Sequence, residues 1–250
     1  MRLLAIIPAR YHSSRFEGKP LAMINSKPMV MWVYDAVKET KLFDEVLVAT
    51  DEQRIFSIVN EFSGKAIMTS DTLRNGTERC NEVVSLLEKQ DKHFDIIINI
   101  QGDEPLIKKQ MIEAVIDGFE EKDADIVTLK KSITNKNDIF DANVVKVVCA
   151  KDKALYFSRS AVPFSRDGKE QELLSEGKYY KHIGIYGYRT SVLKQIVTLQ
   201  ESFLEKTEKL EQLRWLENGY NIIVKTTEFD TIGVDTPQDL ENIKRIINKQ

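Results

Sequence analysis

Three cationic side chains follow the first apolar segment of the chain. Residues 3–7 are typical of a buried strand, and Arg10, Arg15 and Lys19 lie in the loop after it, together with two serines and Gly18. Open α/β sheets bind ligands at the carboxyl ends of their strands, and guanidinium and ammonium groups gathered there bind polyanions. Backbone N–H groups around Gly18 could add donors. The loop indicates a triphosphate site, and a basic surface loop after an edge strand is the alternative.

The loop matches neither of the two common phosphate-binding patterns. Walker A requires Ser or Thr after Gly-Lys, and here Pro20 follows Gly18-Lys19. The dinucleotide fingerprint requires two glycines one residue apart, and the chain has no such pair. Any nucleotide site here must therefore be of another kind.

Two carboxylates are predicted at the same edge of the sheet. Asp103 follows residues 96–100, an apolar run typical of a strand covered on both faces, and Asp235 precedes a predicted C-terminal helix. Carboxylates beside a triphosphate usually hold Mg2+, which takes one or two of them together with phosphate oxygens. A β-turn role for Asp103 and a capping role for Asp235 are the alternatives. Glu104 is a weaker candidate ligand, and the alternative is that it faces solvent.

A polar segment, residues 70–79, opens a further predicted helix. Helix N-termini bind anions through their unpaired backbone N–H groups, so this segment is a candidate contact for the nucleotide. The alternative is a simple capping loop in which Thr77 is the N-cap residue.

Composition narrows the possible partners. The 250 residues are 42% hydrophobic and 30% charged, with a net charge of -3, which fits a globular chain and argues against nucleic acid as a partner. Two cysteines without a CxxC pair and three histidines without an HExxH pattern argue against a disulfide framework and the common zinc sites. Residues 1–7 are too short for a signal peptide, and no apolar run approaches the roughly 18 residues of a membrane span. We therefore expect a cytoplasmic protein without a membrane partner.

Strand-like and helical segments alternate along the first half of the chain. Strands are predicted at residues 3–7, 46–50, 66–68 and 96–100, with amphipathic helices between them. Asp51 is predicted to cap the helix that follows the second of these strands. The alternation predicts an α/β fold with a doubly wound, mostly parallel sheet. In the second half we expect strands at 125–130, 144–148, 180–188 and 222–224, a polar loop at 165–178, one helix at 205–218, and a last helix capped by Thr236 with Pro237 in its first turn.

Nine blocks of sequence, in one order from end to end, resemble the family of 3-deoxy-manno-octulosonate cytidylyltransferases, the CMP-Kdo synthetases. The blocks are Ile7-Pro8-Ala9-Arg10, Ser14-Arg15 with Gly18-Lys19-Pro20-Leu21, Ala49-Thr50-Asp51, Asn75-Gly76-Thr77-Glu78-Arg79, Gln101-Gly102-Asp103-Glu104-Pro105, Ala154-Leu155-Tyr156-Phe157-Ser158-Arg159, His182-Ile183-Gly184-Ile185-Tyr186-Gly187-Tyr188, Leu210-Glu211-Gln212-Leu213-Arg214 and Val234-Asp235-Thr236-Pro237.

The resemblance implies a homodimeric enzyme with a nucleotidyltransferase-like α/β fold and a small acceptor-binding and dimerisation subdomain. Residues 1–131 would form the nucleotide-binding half and residues 132–250 the sugar-binding and dimerisation part. The enzyme would transfer CMP from CTP to the anomeric hydroxyl of 3-deoxy-manno-octulosonate (Kdo), for lipopolysaccharide synthesis, and release pyrophosphate.

The resemblance also assigns roles to individual residues. The nucleotide would be bound by Ala9, Arg10, Ser13, Arg15, Lys19, Gly76 and Arg79. Asp103 and Asp235 would hold Mg2+ and act in catalysis with Lys19. The sugar would be surrounded by Gln101, Arg159, His182, Tyr186, Glu211 and Gln212.

One block departs from the family pattern. The usual His-x-Ser-Gly-Thr is Leu73-Arg74-Asn75-Gly76-Thr77 here, and Glu17 replaces the usual proline of the phosphate loop. The change leaves three readings open: Kdo itself, a modified acid sugar such as 8-amino-Kdo or another ulosonic acid, and a nucleotide-sugar sensor without catalysis. Lys19, Asp103 and Asp235 are all retained, which favours an enzyme.

Overall fold

The computed structural model describes residues 1–12 and 15–249. The chain divides into two compact units, each built from separate stretches. The first unit comprises Met1–Lys109, Arg189–Leu193 and Thr231–Gln250, and the second comprises Gln110–Tyr188 and Lys194–Asp230. The chain thus returns twice to the first unit. The assignment of the nucleotide to residues 1–131 and of the sugar to residues 132–250 stays a prediction.

Strands and helices follow one another in an α/β succession. The strands are β1 (Leu3–Ala9), β2 (Met23–Ile24), β3 (Lys27–Pro28), β4 (Glu45–Thr50), β5 (Ala66–Met68), β6 (Ile96–Asn99), β7 (Ile126–Ser132), β8 (Lys146–Ala150), β9 (Lys153–Ser158), β10 (Tyr180–Arg189) and β11 (Ile222–Thr226). The α-helices are α1 (Met29–Glu39), α2 (Gln53–Glu61), α3 (Gly76–Glu88), α4 (Lys109–Asp117), α5 (Lys136–Phe140), α6 (Glu170–Ser175), α7 (Thr190–Ile196), α8 (Phe203–Glu208), α9 (Glu211–Glu217) and α10 (Pro237–Ile247). Two 3₁₀ turns lie at Lys19–Leu21 and Gly118–Glu120.

The first unit is built on a parallel sheet in the order β5-β4-β1-β6. All four residues of β6 and all of β1 except Pro8 are buried, as expected for apolar strands covered on both faces. Because Ile6 pairs with Asn99 and Ala9 pairs with Thr50, the carboxyl ends of β1, β4 and β6 lie at the same edge of the sheet. The loops after these three strands are therefore brought together, as the sequence predicted.

Two helix starts differ from the predicted ones. The side chain of Asn75, and not that of Thr77, accepts the Glu78 N–H at 2.9 Å and caps α3. At α2 the cap is Glu52, whose carboxylate accepts from the Arg54 N–H at 3.2 Å. Thr77 is buried on the helix instead. The spacing alone could not separate neighbouring residues that are all suited to capping.

The C-terminal helix α10 is anchored within the first unit. Its start is a capping box between Thr236 and Asp239, with Pro237 in the first turn, as predicted. Val234, Leu240 and Ile243 pack in one buried cluster with Ile24 and Met29. This packing fixes the segment that carries Asp235, more than 130 residues beyond Asp103 in the chain.

Mixed strand pairings characterise the second unit. β10 is antiparallel to β7, β7 is parallel to β11, and β8 is antiparallel to β9. The register between β7 and β10 shifts between Ile183 and Tyr186. The prediction of an α/β fold is confirmed. The mostly parallel arrangement holds in the first unit, whereas antiparallel pairs dominate the second.

Two predictions for the second unit were wrong. The helix expected over residues 205–218 is two helices, α8 and α9, because Lys209 adopts the left-handed conformation with φ 54°. The polar segment expected to be a loop, residues 165–178, contains α6. Leu174 near the end of α6 packs with Ile133, Ile139 and Tyr179 in a buried cluster. The two adjacent leucines at 173 and 174 were too weak a signal in a polar stretch to predict this. In the described part of the chain, every helix is too short or too polar to span a bilayer.

The turn after β6 requires a glycine at position 102. A Cβ on this residue would lie 2.7 Å from the carbonyl oxygen of Pro8, a main-chain atom that cannot rotate away. We expect Gly102→Ala to lower the free energy of unfolding by about 1–3 kcal/mol, measured by urea denaturation. The control is Gly233→Ala, where an added Cβ meets no atom within 4 Å. Equal stability of the two variants would contradict this account.

Candidate active site

A cavity of about 340 Å³ lies at the carboxyl edge of the parallel sheet in the first unit. The residues that line it come from the end of β1, from the loops after β1 and β6 and from the start of α3: Pro8, Ala9, Arg10, His12, Lys19, Pro20, Asn75, Gly76, Arg79, Gln101, Gly102 and Asp103. Six of these are predicted nucleotide or catalytic residues, and Gln101 is a predicted sugar residue. The predicted contact Ser13 lies outside the described residues.

Lys19 joins the two predicted metal ligands. Its ammonium group donates to Asp103 Oδ2 at 2.5 Å and to Asp235 Oδ1 at 3.4 Å. Arg15 reaches the other oxygen of Asp235, with Nη2 to Oδ2 at 3.1 Å. The Val234 N–H also donates to the Asp103 carbonyl at 2.9 Å, which ties the two carboxylate-bearing segments together. The carboxylates of Asp103 and Asp235 therefore converge on one point, as the sequence predicted.

Asp51 organises the second group of charges. Its carboxylate accepts from Arg79 Nη2 at 2.8 Å and forms an ion pair with Arg10, with Nε to Oδ2 at 3.8 Å. Arg79 is fully buried and also donates to the Thr69 hydroxyl. Sequence reasoning missed Asp51 as a site residue and assigned it to a helix cap. Its place directly after β4 is the signal that could have identified it, because that argument identified Asp103.

Buried positive charge shapes the cavity around Arg10. Burial, reinforced by the nearby charge of Arg79, lowers the pKa of the Arg10 guanidinium. Arg10 Nη1 donates to the Arg74 carbonyl at 3.2 Å. Arg10 Nε is buried, and its ion pair with Asp51 at 3.8 Å is too long for a hydrogen bond, so it has no acceptor among residues 1–12 and 15–249. Buried donors of this kind are costly unless an acceptor reaches them. An anionic ligand in the cavity would supply that acceptor.

Residues 73–77, the block that departs from the family pattern, form a regularly capped start of α3. Asn75 provides the N-cap of α3, so an amide oxygen does what a serine hydroxyl does at such a position. The added Arg74 side chain is held by Glu78, with Arg74 Nε to Glu78 Oε1 at 2.7 Å. Gly76 lies close to β1 and β6, since a Cβ there would be 3.3 Å from the Asn99 amide and 3.5 Å from Pro8. The extra arginine is thus matched by a carboxylate on the same helix turn.

Glu104 does not face solvent, the alternative expected from the sequence; it is buried. Burial, together with the charge of Asp103, raises the pKa of the Glu104 carboxyl to about 8, and a hydrogen bond with Thr231 opposes the shift. Near neutral pH this side chain is therefore mainly an uncharged acid. The sequence could not reveal this, because it does not show that Glu104 is buried beside Thr231, a residue far away in the chain.

Several of the residues predicted to bind the sugar lie close together in the second unit. His182 and Tyr186 lie on β10 with ring centroids 5.3 Å apart, and Phe157 stands edge-on to His182 at 5.1 Å. Burial lowers the pKa of His182 to about 3 and raises the pKa of Tyr186 well above its ordinary value, with the charge of Glu211 adding to the second shift. Both side chains are therefore uncharged near neutral pH.

Glu211 and Gln212 stand at the start of α9. The Glu211 carboxylate accepts from Arg214 Nη2 at 2.8 Å, and Arg214 and Gln212 are both buried. Gln212 is therefore not a simple surface position. Trp215 on the same helix packs edge-on against Tyr186 at 5.3 Å. The helix thus connects the Glu211 end to the aromatic group around His182.

Arg159 is occupied by main-chain carbonyls. Its guanidinium donates to the carbonyls of Glu208 at 2.8 Å, Ala142 at 2.9 Å and Lys209 at 3.4 Å. Its own carbonyl accepts from Lys146 at 2.6 Å. Arg159 therefore holds the junction between α8 and α9. Its predicted contact with a sugar carboxylate stays a prediction, and it would have to use guanidinium N–H groups beyond these three.

The chain is similar in sequence to known cytidylyltransferases over nearly its full length. A family model described as cytidylyltransferase matches residues 4–226. The chain is 48% identical to the 3-deoxy-manno-octulosonate cytidylyltransferase of Thermodesulfovibrio yellowstonii, over 99% of both chains. It is also 48% identical to the enzyme of that name from Parabacteroides distasonis, over 96% of both chains.

Solved structures extend the comparison. The structure of CMP:2-keto-3-deoxy-manno-octonic acid synthetase complexed with CTP matches with a TM-score of 0.90 and 39% identity, covering 100% of this chain and 99% of that chain. A 4-diphosphocytidyl-2C-methyl-D-erythritol synthase from Anaerococcus prevotii matches with a TM-score of 0.63 at 13% identity, covering 99% of this chain and 96% of that chain. The second match concerns the fold alone. The predicted nucleotidyltransferase-like α/β fold is confirmed.

The buried acid Glu104 predicts a pH dependence of stability. The folded pKa of about 8 exceeds the ordinary value of 4.5, so between these pH values the folded state retains a proton that the unfolded state loses. Stability should therefore be highest below pH 4.5, as far as this group is concerned, and fall as the pH rises towards 8. Glu104→Gln needs no proton, and we expect it to be more stable than the unchanged chain by about 4 kcal/mol at pH 7.5, with the difference nearly gone at pH 4.5.

Urea unfolding between pH 4.5 and pH 8 measures this difference. The control is Glu61→Gln, an exposed position at the end of α2, where no such dependence is expected. Parallel pH profiles for Glu104→Gln and the unchanged chain would contradict a buried neutral acid.

Proposed function

The chain belongs to the family of 3-deoxy-manno-octulosonate cytidylyltransferases, and from that premise we propose that it transfers CMP from CTP to the anomeric hydroxyl of Kdo and releases pyrophosphate. The observation that carries the proposal is the convergence of Lys19, Asp103 and Asp235 at the edge of the parallel sheet. A module that only binds a nucleotide sugar has no use for two carboxylates gathered on one point beside a cationic loop.

The reaction is an in-line displacement at phosphorus. The C2 hydroxyl of the sugar attacks the α-phosphorus of CTP, and the bond to the pyrophosphate breaks as the new P–O bond forms. Catalysis of this kind depends on positioning and on charge neutralisation, with little covalent work for the protein. Arg10, Arg15 and Lys19 supply the positive charge for the triphosphate and for the departing pyrophosphate.

Mg2+ is part of the proposal. Asp103 and Asp235 would hold it, and their convergence on one ammonium group fits a cation between them. Among residues 1–12 and 15–249 no group of three or more His, Cys, Asp or Glu side chains is arranged to hold a metal. The pair Asp103 and Asp235 is nevertheless sufficient for Mg2+, because one or two carboxylates hold this ion when a substrate phosphate provides further oxygens. When bound, it would polarise the phosphate that is attacked.

We propose that the sugar contacts His182, Tyr186, Glu211 and Gln212. Arg159 and Gln101 are its further proposed contacts.

We also propose a homodimer that acts in the cytoplasm for lipopolysaccharide synthesis, as the family resemblance implies. Phe164 and Phe203 of the second unit are exposed by 83% and 75%, and exposed apolar side chains of this size are common at protein interfaces.

Substrate competition tests the function. Kdo, 8-amino-Kdo and N-acetylneuraminate are compared at fixed CTP by pyrophosphate release. We expect kcat/KM to be highest for Kdo, because a site built to hydrogen-bond particular hydroxyls rejects analogues that leave those groups unpaired, by factors that reach about 10⁴. A higher value for 8-amino-Kdo would change only the acceptor. Absence of turnover with every sugar would support a sensor and refute the enzyme.

The two carboxylates provide a second test. Asp103→Asn and Asp235→Asn should each lower kcat by at least about 100-fold at saturating Mg2+, since each removes a charge that acts on the reacting phosphate. Circular dichroism and urea unfolding show whether each variant folds. Asp123→Asn, an exposed position in the second unit, is the matched control and should keep full activity. Near-normal turnover of either site variant would rule out the two-carboxylate arrangement.

A further inference from the structure

Thr128 makes an unusual set of contacts with β10. Its side chain is fully buried on β7. The hydroxyl oxygen lies 2.8 Å from the carbonyl oxygen of Ile185, 3.1 Å from that of Ile183 and 2.9 Å from Nε2 of His182. The register shift between Ile183 and Tyr186 is what brings two carbonyls of one strand to the same hydroxyl.

The number of hydrogens on the Thr128 hydroxyl determines which atom is the donor in its contact with His182. A threonine hydroxyl has one hydrogen to donate and two lone pairs, and a carbonyl oxygen can only accept. The hydroxyl hydrogen is therefore used by the carbonyls of Ile183 and Ile185, whether shared between them or given to one. What remains towards His182 is a lone pair, so Nε2 of His182 must be the donor.

Only one ring nitrogen of His182 then carries a proton. The ring is uncharged near neutral pH because burial lowers its pKa to about 3. A neutral imidazole with a proton on Nε2 has a lone pair on Nδ1. Phe157 and Tyr186 pack against the ring at 5.1 and 5.3 Å and hold its orientation.

We propose that Thr128 is a positioning residue that fixes the Nε2–H tautomer of His182, so that His182 offers a hydrogen-bond acceptor at Nδ1 to a hydroxyl of the sugar. This inference rests on the proposed function for the identity of the ligand. It assigns His182 the recognition of a hydroxyl and excludes it as a cationic partner of the sugar carboxylate. Thr128 itself touches His182 and not the substrate.

The tautomer can be measured without any substrate. Long-range ¹H–¹⁵N correlation spectra distinguish a protonated Nε2 from a protonated Nδ1, and the three histidines of the chain can be assigned by comparison with His182→Gln. We expect protonated Nε2 and unprotonated Nδ1 for His182 at pH 7.5. A protonated Nδ1, or a doubly protonated ring, would overturn the proposal.

Two variants connect the tautomer to recognition. Thr128→Val removes the acceptor of the Nε2–H, and we expect KM for the sugar to rise about 10- to 100-fold, with KM for CTP unchanged and the Nε2–H signature lost. Thr128→Ser keeps the hydroxyl and should restore both the signature and the KM. The control is Thr190→Val, which also removes a threonine bond to a carbonyl, that of Phe94 at 2.7 Å, and should leave the His182 signature and the sugar KM unchanged.

The outcomes separate this proposal from the proposed function. If Kdo is not a substrate while His182 shows protonated Nε2, the function fails and the tautomer stands. If Kdo is a substrate but Thr128→Val keeps the sugar KM and the signature, the role of Thr128 is refuted. If Thr128→Val does not fold, the spectrum of the unchanged chain and the behaviour of Thr128→Ser decide.

Discussion

The ammonium group of Lys19 is the contact on which the first unit depends. It is bound to Asp103 and lies 3.4 Å from Asp235, so it joins segments that are 84 and 216 residues away in sequence. Carboxylates gathered this closely repel one another unless a cation lies between them. The parallel sheet brings the loops to one edge, but this charge pairing holds Asp103 and Asp235 towards each other. Lys19 therefore organises the site as well as contributing to it.

The cations of the site are already paired with carboxylates, and an anionic ligand has to bind to them in that state. Arg15 is bound to Asp235, and Arg79 and Arg10 are bound to Asp51, so each of these cations already has a carboxylate partner. A triphosphate that draws Arg15 and Lys19 away from Asp235 and Asp103 releases those carboxylates from their present partners. Once released, those carboxylates need a new cation, and Mg2+ brought with the nucleotide would meet that need. Binding of the polyanion and of the metal would thus be coupled through the same side chains.

Sequence reasoning was most successful where a single strand and the loop after it carry the information. The first sheet, the cationic loop, Asp103, Asp235 and the capped start of α10 could all be predicted, because each depends on local pattern and on the rule that ligands bind at the carboxyl ends of strands. Asp51, Glu104 and Thr128 were missed because their roles depend on partners from distant segments: Arg79, Thr231 and His182. The break at Lys209 was missed because a single left-handed lysine leaves the helical pattern of residues 205–218 intact.

The departing block shows how a change in sequence can preserve the electrostatics of a site. Arg74 adds a positive charge beside the cavity, and Glu78 Oε1 pairs with its guanidinium, with Arg74 Nε at 2.7 Å. The other oxygen, Glu78 Oε2, accepts from the main-chain N–H of Arg74 at 2.8 Å. Asn75 supplies the cap from which α3 begins, and the Arg74 carbonyl still accepts from Arg10. The added guanidinium is therefore held at the start of α3 by Glu78. What the substitutions change is shape and hydrogen bonding at the mouth of α3, so their effect should be sought in recognition of the base or the sugar and not in binding of the phosphates.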